Sequence, residues 1–222
     1  MMRFFNQEQR AKILLVSIVV FLVLSPLLER DTRGEIVLIF NMYVTLVAAT
    51  MELKEKRVLW LAIPVAATSM MLLLSSHLYP VRALVIANSL ALFIFFAIVS
   101  VSLFAYLGRS AQIASGHLYI SVSLYFLLGM AWYALYAFVD SVSPGSFAES
   151  GVVLTGNVRP SEVLYFSFAT LTTVGYGDVV AVNPAARMLA VIESAAGVLY
   201  VAITVARLVS STGFVKPKGI NG

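Results

Sequence analysis

The sequence predicts an all-α membrane protein with six transmembrane helices per chain and a short re-entrant helix between the fifth and sixth. Three observations carry that prediction. The chain of 222 residues is 60% hydrophobic and 12% charged, with a mean hydropathy of +0.94, more apolar surface than a soluble fold of this size can hide. Six runs, nearly free of charge, are separated by short polar segments. The last connection holds an apolar stretch too short to cross a bilayer, followed by Gly at alternate positions in "TTVGYGD", Thr172 to Asp178.

The first run, Ile13–Leu28, follows Arg3, Arg10 and Lys12 as a signal peptide would. "SPLLERDTRGE" follows it in place of a small-residue cleavage site, so it reads as a retained span. Ile36–Met51, Val58–Val81, Ala83–Gly108 and Ser110–Val139 come next. A helix rises 1.5 Å per residue, so about 20 residues cross the hydrocarbon core. The first two runs are short, and Lys12, Glu52 and Lys54 are expected to extend them by snorkelling. In the fourth run Arg82 and Arg109 stand at the ends with no basic residue between them, as interfacial anchors. Asn88 and Ser89 within it read as helix–helix contacts. The sixth run, Ala185 to Val209, is interrupted only by Glu193 and Arg207.

The connection from Asp140 to Pro184 begins with "DSVSPGSFAESGVVLTGNVRP", read as an exposed turret rich in Gly, Pro and Ser. "SEVLYFSFATL" then predicts a short helix over 161–171 with Ser161 as its N-cap. With the N-terminus inside, inner segments carry ten Lys and Arg and outer segments five, which favours cytoplasmic termini.

Several functions are excluded or disfavoured. No Cys is present, and His77 and His117 form no ligand-spaced pair. HExxH, a phosphate loop and a paired intramembrane Asp are all absent, so an enzyme has no support. The formal charge of +4 comes from basic residues scattered at segment ends, which reflects membrane topology and not nucleic-acid binding.

"TTVGYGD" has no nucleophile–base pair, so its backbone is the informative part. Gly175 and Gly177 can adopt φ > 0 without a Cβ clash. Alternating such residues with ordinary ones turns successive carbonyls the same way. Strands of this kind around an axis make rings of oxygens that replace the water shell of a cation.

"TLTTVGYGD", Thr170 to Asp178, resembles the signature of tetrameric potassium channels, and the six-span layout without an arginine array resembles prokaryotic members that lack a voltage sensor. The preceding "YFSFAT" resembles the family's pore helix, and Arg187 and Gly197 are spaced like an outer-mouth Arg and an inner-helix hinge Gly. The resemblance covers roughly Leu118 to Ser211, less than half the chain. It implies a selectivity filter at Thr173, Val174, Gly175, Tyr176 and Gly177. Potassium ions are then held by the carbonyls of Thr173, Val174, Gly175 and Tyr176 and by the Thr173 hydroxyl, with no organic cofactor.

The resemblance also implies filter support from Thr172, Asp178, Tyr165 and Phe166, and a homotetramer around one pore. Tyr165 and Phe166 stand where many members have two Trp, and Ala169 where some have a Glu that pairs with the filter Asp. Val198, Val201, Val205 and Val209 share one helical face. By resemblance they line the cavity and gate, although the pattern alone also fits packing against neighbouring helices. Glu193, one turn outward of Gly197, is placed behind the filter. It is either a brace replacing the missing pore-helix Glu or a structural acid bonded to Ser167 or Thr170.

The expected organisation is a four-helix unit over 1–109, resembling a voltage-sensor domain without gating charges, and a pore unit over 110–222. The expected function is passive, potassium-selective conduction without steep voltage gating, in the cell membrane. The alternatives are a non-conducting or poorly selective channel-like accessory protein. Gating falls to an unidentified partner or ligand, and the basic tail "GFVKPKGING" is expected near anionic lipid.

Overall fold

In the computed structural model the chain is described over residues 6–28, 32–79, 81–109, 115–155 and 158–211. The tail after Ser211 and the start of the second expected unit lie outside these residues. Long apolar runs form long helices because each backbone polar group must be satisfied within its own segment in lipid. Among the described residues six helices are long and apolar enough to span: α1 (Gln7–Leu28), α2 (Thr32–Glu52), α3 (Lys56–Leu78), α4 (Arg82–Arg109), α5 (Ser115–Val142) and α7 (Pro184–Ser211). Between the last two lie strands β1 (Phe147–Glu149) and β2 (Val152–Val153), the short helix α6 (Pro160–Leu171) and strand β3 (Val179–Ala181).

The helix ends differ from the charge-free runs for local reasons. α1 starts well before Ile13 because Asn6 and Gln9 cap it reciprocally: the Gln9 amide donates to Asn6 Oδ1 at 2.8 Å and the Asn6 amide to Gln9 Oε1 at 3.0 Å. α3 stops at Leu78, short of Val81, because Tyr79 precedes Pro80 and is extended, with φ −129° and ψ 95°. α5 runs on to Val142, so Asp140 lies inside its last turn, where Oδ1 accepts the Ser146 amide at 3.0 Å.

One snorkelling expectation is overturned. Glu52 is fully buried, with Arg10 of α1 at 3.7 Å. The packing of α1 on α2 brings the two residues together and keeps the carboxylate from the surface.

α1 packs on α2, α2 on α3, α3 on α4, and α4 on α5. α5 then packs against α1 and closes the ring. One apolar core runs through these five helices and takes in Leu164 of α6 and Tyr200 of α7. A second cluster, by the C-terminal half of α5 and the start of α7, joins Tyr136, Phe147, Val163, Phe166, Val179 and Ala186.

The turret is not a plain exposed loop. β1 pairs antiparallel with β2 and with β3, giving the order β2-β1-β3. Ser150 (φ 48°) and Gly151 (φ 84°) make the two-residue turn between β1 and β2, the φ > 0 pair that matches the twist of a hairpin. Phe147 and Ala148 are buried because β1 lies between two strands and over the aromatic cluster.

Candidate functional site

The site begins with the placement of α6. Pro160 occupies its first turn, where a fixed φ suits the helix and a missing N–H costs nothing. The N-cap is therefore Arg159 and not Ser161. Glu162 reaches back, accepting the Arg159 amide at 3.2 Å and its Nε at 2.6 Å. The helix has 12 residues, about 18 Å at 1.5 Å per residue, against a hydrocarbon core of about 30 Å. It is too short to cross.

At its C-terminal end the carbonyl of Ala169 accepts two amides, Val174 at 2.9 Å and Gly175 at 3.1 Å, while the Thr173 amide bonds to Thr170 O at 3.0 Å. The chain leaves the helix as an irregular strand with φ of 60° at Thr173, 50° at Gly175 and 81° at Gly177. Val174 and Tyr176 between them do not share this left-handed region. Thr173 is β-branched, and a positive φ there is strained, which points to a position the surroundings enforce. All residues from Thr172 to Asp178 are exposed in the single chain.

Asp178 closes this strand and is held at three points. The Tyr165 hydroxyl lies 2.9 Å from each carboxylate oxygen. The Val179 amide donates to Oδ1 at 3.0 Å, and the Ser150 amide donates to the Asp178 carbonyl at 2.8 Å. The Tyr165 hydroxyl holds the carboxyl below the usual carboxylate range, and the Val179 amide acts in the same direction. Tyr165 also stacks on Tyr176, with ring centres 6.4 Å apart and planes at 6°.

Phe166 cannot hydrogen-bond and is fixed by packing instead. Its ring meets Tyr136 and Phe147 edge-on, each at 5.1 Å. Glu193 of α7 is fully buried behind this layer. Oε2 accepts the Tyr136 hydroxyl at 2.6 Å, and Oε1 lies 2.7 Å from the Ser167 hydroxyl, which is also 2.9 Å from the Gly129 carbonyl. The α6 partner is thus Ser167 and not Thr170. A buried carboxyl group bonded to Tyr136 through one oxygen and to Ser167 through the other ties α5, α6 and α7 together.

Gly197 lies in unbroken helix, where an added Cβ would sit 2.1 Å from the Leu171 carbonyl oxygen. This glycine lets α7 approach the end of α6, a requirement separate from any bend. Tyr125 of α5 donates to the same carbonyl at 3.3 Å. Val198, Val201, Val205 and Val209 are exposed along α7, and so are Leu199 and Ile203 on the adjoining side. Near the C-terminal end of α7 Arg207 donates to the Gly108 carbonyl of α4 at 2.9 Å. Arg187 lies with Tyr176, Asp178 and Val180 around a cavity of about 290 Å³ behind the irregular strand.

Sequence reasoning missed Tyr136, Phe147 and the Ser150 amide. Tyr136 and Phe147 carry no local signal. The Ser150–Gly151 pair between "FAE" and "VV" is a hairpin cue that the composition of the loop concealed.

Residues 120–212 match the ion channel family. Over 95 residues the chain is 30% identical to two pore potassium channel c of Oryza sativa subsp. japonica, a match covering 42% of this chain and 18% of that protein. No solved structure matches. The second half of the chain is thus similar to ion channels, a potassium channel among them, and spans less than a fifth of that relative's length.

Proposed function

We propose that four copies of this chain surround one pore that conducts potassium passively and refuses sodium. The observation that carries this reading is the alternation of left-handed backbone at Thr173, Gly175 and Gly177, immediately after a helix too short to cross the membrane. Four such strands stack carbonyl rings from Thr173 to Tyr176 along an axis, with the Thr173 hydroxyl at the inner end, and potassium is coordinated there. The exposure of Thr172 to Asp178 in one chain supports assembly. Irregular backbone at membrane depth is tolerated only when protein or a water-filled path covers it. Copies of the same chain meet that need, and part of the exposed α7 surface then faces a central cavity.

Both termini are cytoplasmic in this reading, and the membrane is the cell membrane. Conduction is not steeply voltage-gated, because α4 carries no basic residue between Arg82 and Arg109. Each gating charge is worth about 2.3 kcal/mol per 100 mV, and steep gating needs about three to four per subunit. Gating falls to a partner, lipid or ligand acting on α1–α4.

The test is flux from liposomes holding the purified protein under a potassium or a sodium gradient. Potassium and rubidium should pass, sodium should be refused, and barium should block. Comparable sodium and potassium fluxes would rule out selectivity, and no flux at all would favour the accessory-protein alternative.

A further inference from the structure

In the proposed pore, the outer end of the filter is pinned by the turret. We propose that strand β1 and its turn, Phe147 to Gly151, form a latch that positions the filter exit and sets how long the filter stays conducting. The inference rests on the conduction reading above.

Four observations converge on this segment. The turn delivers the Ser150 amide to the carbonyl of Asp178, one residue beyond Gly177, at 2.8 Å. β1 then pairs with the three residues that follow: Glu149 with Val179, Ala148 with Val180 and Phe147 with Ala181. The pairing continues as the Val182 and Asn183 amides bond to Ser146 O at 2.9 and 3.2 Å, up to the start of α7 at Pro184. Finally, Phe147 has no exposed surface and its ring meets Phe166 and Tyr136 edge-on. Tyr136 in turn donates to Glu193.

The consequence is mechanical. The strand leaving the filter cannot move without breaking backbone hydrogen bonds to β1, and β1 cannot move without opening the aromatic cluster. Tyr165 holds the Asp178 side chain from the helix side, while β1 holds its backbone from the opposite flank. Phe166 offers no hydrogen bond, so the rigidity on that side comes from the turret.

The absence of Cys from the native chain makes the latch testable. Ala148 and Val180 are direct cross-strand partners. Antiparallel partners have Cα atoms about 4.5–5.5 Å apart, within the roughly 4.4–6.8 Å a disulfide needs. The double variant Ala148→Cys/Val180→Cys is reconstituted, oxidised or reduced, with bond formation followed by mass. The decline of potassium flux is then timed after external potassium is withdrawn. Oxidation should slow the decline roughly tenfold, the order expected when one hydrogen bond can no longer open, and reduction should restore it. Phe147→Ala should hasten the decline. Equal decline in the oxidised and reduced double variant, with the disulfide formed, overturns the latch even if Phe147→Ala fails to assemble. Absence of flux from the unmodified chain is a different result: it removes the conduction reading, and the latch with it.

Discussion

The helices α5 to α7 and the helices α1 to α4 differ in where buried polar atoms are left without a hydrogen bond. Around α6 such atoms are paired at short range: Glu193 with Tyr136 and Ser167, and Tyr200 with the Ser121 carbonyl at 2.6 Å. Among the described residues, the buried side-chain atoms left without a hydrogen bond are Arg10 Nε, Asn41 Oδ1, both oxygens of Glu52, Asn88 Oδ1 and Ser100 Oγ. All belong to α1, α2 or α4. A buried polar group without a partner costs free energy, and a satisfied network specifies one arrangement. The second half is therefore built to hold backbone oxygens in fixed places. The first half combines apolar packing with fewer polar ties between helices, such as Arg10 with Glu52 at 3.7 Å and the Tyr43 hydroxyl donating to the Met70 carbonyl at 2.8 Å.

The largest effect should come from cutting the network in the rigid half. Glu193→Ala leaves the buried Tyr136 hydroxyl without its acceptor and removes the carboxylate that ties Ser167 to α7. At about 1–3 kcal/mol for each orphaned group, the assembled protein should lose most of its thermal stability in detergent, and flux with it. Glu193→Gln keeps one acceptor oxygen and should lose about half as much. An alanine variant as stable as the native protein would show that the network is dispensable.

Gly197→Ala should come next. Its Cβ would meet a backbone carbonyl at 2.1 Å, and a backbone atom at the end of α6 cannot rotate away. Overpacking of this kind costs about 1–3 kcal/mol. It should also displace the base of the filter, so flux should fall further than stability; measuring both on one preparation separates the two effects.

Tyr165→Phe should be milder, a roughly two- to tenfold loss of flux, with a pH signature. The Asp178 carboxyl titrates below its ordinary value chiefly because of the Tyr165 hydroxyl. Whatever the ionised form contributes is present above the ordinary carboxylate value and is lost as pH falls through the depressed one. Without the hydroxyl that loss should begin at a higher pH. Flux recorded while the external solution is acidified checks the direction, and an unshifted profile would separate Tyr165 from the titration of Asp178.

The smallest effect belongs to the other half. Asn88→Leu removes a buried oxygen without a partner from α4, so stability should be unchanged or slightly raised, by up to about 1 kcal/mol. A clear loss of stability in the thermal melt would show that Asn88 is satisfied in the assembled protein, and would narrow the contrast between the halves.

What the sequence determined by itself was whatever depends on neighbours along the chain. Six helices long enough to span follow from apolar runs, and a helix too short to cross follows from the few apolar residues after Pro160. The φ > 0 positions at Gly175 and Gly177 follow from the missing Cβ. Tertiary structure decided what depends on partners distant in sequence. Tyr136 is 57 residues from Glu193, and Ser167 is 26 away. Pairing of β1 with β3 joins Phe147 to Ala181 across the whole of α6. The burial of Glu52 needed Arg10 on another helix. Composition and periodicity report on solvent and on local backbone freedom. They carry no record of which two buried polar groups meet, because that is settled only when helices pack and each donor must find an acceptor away from water.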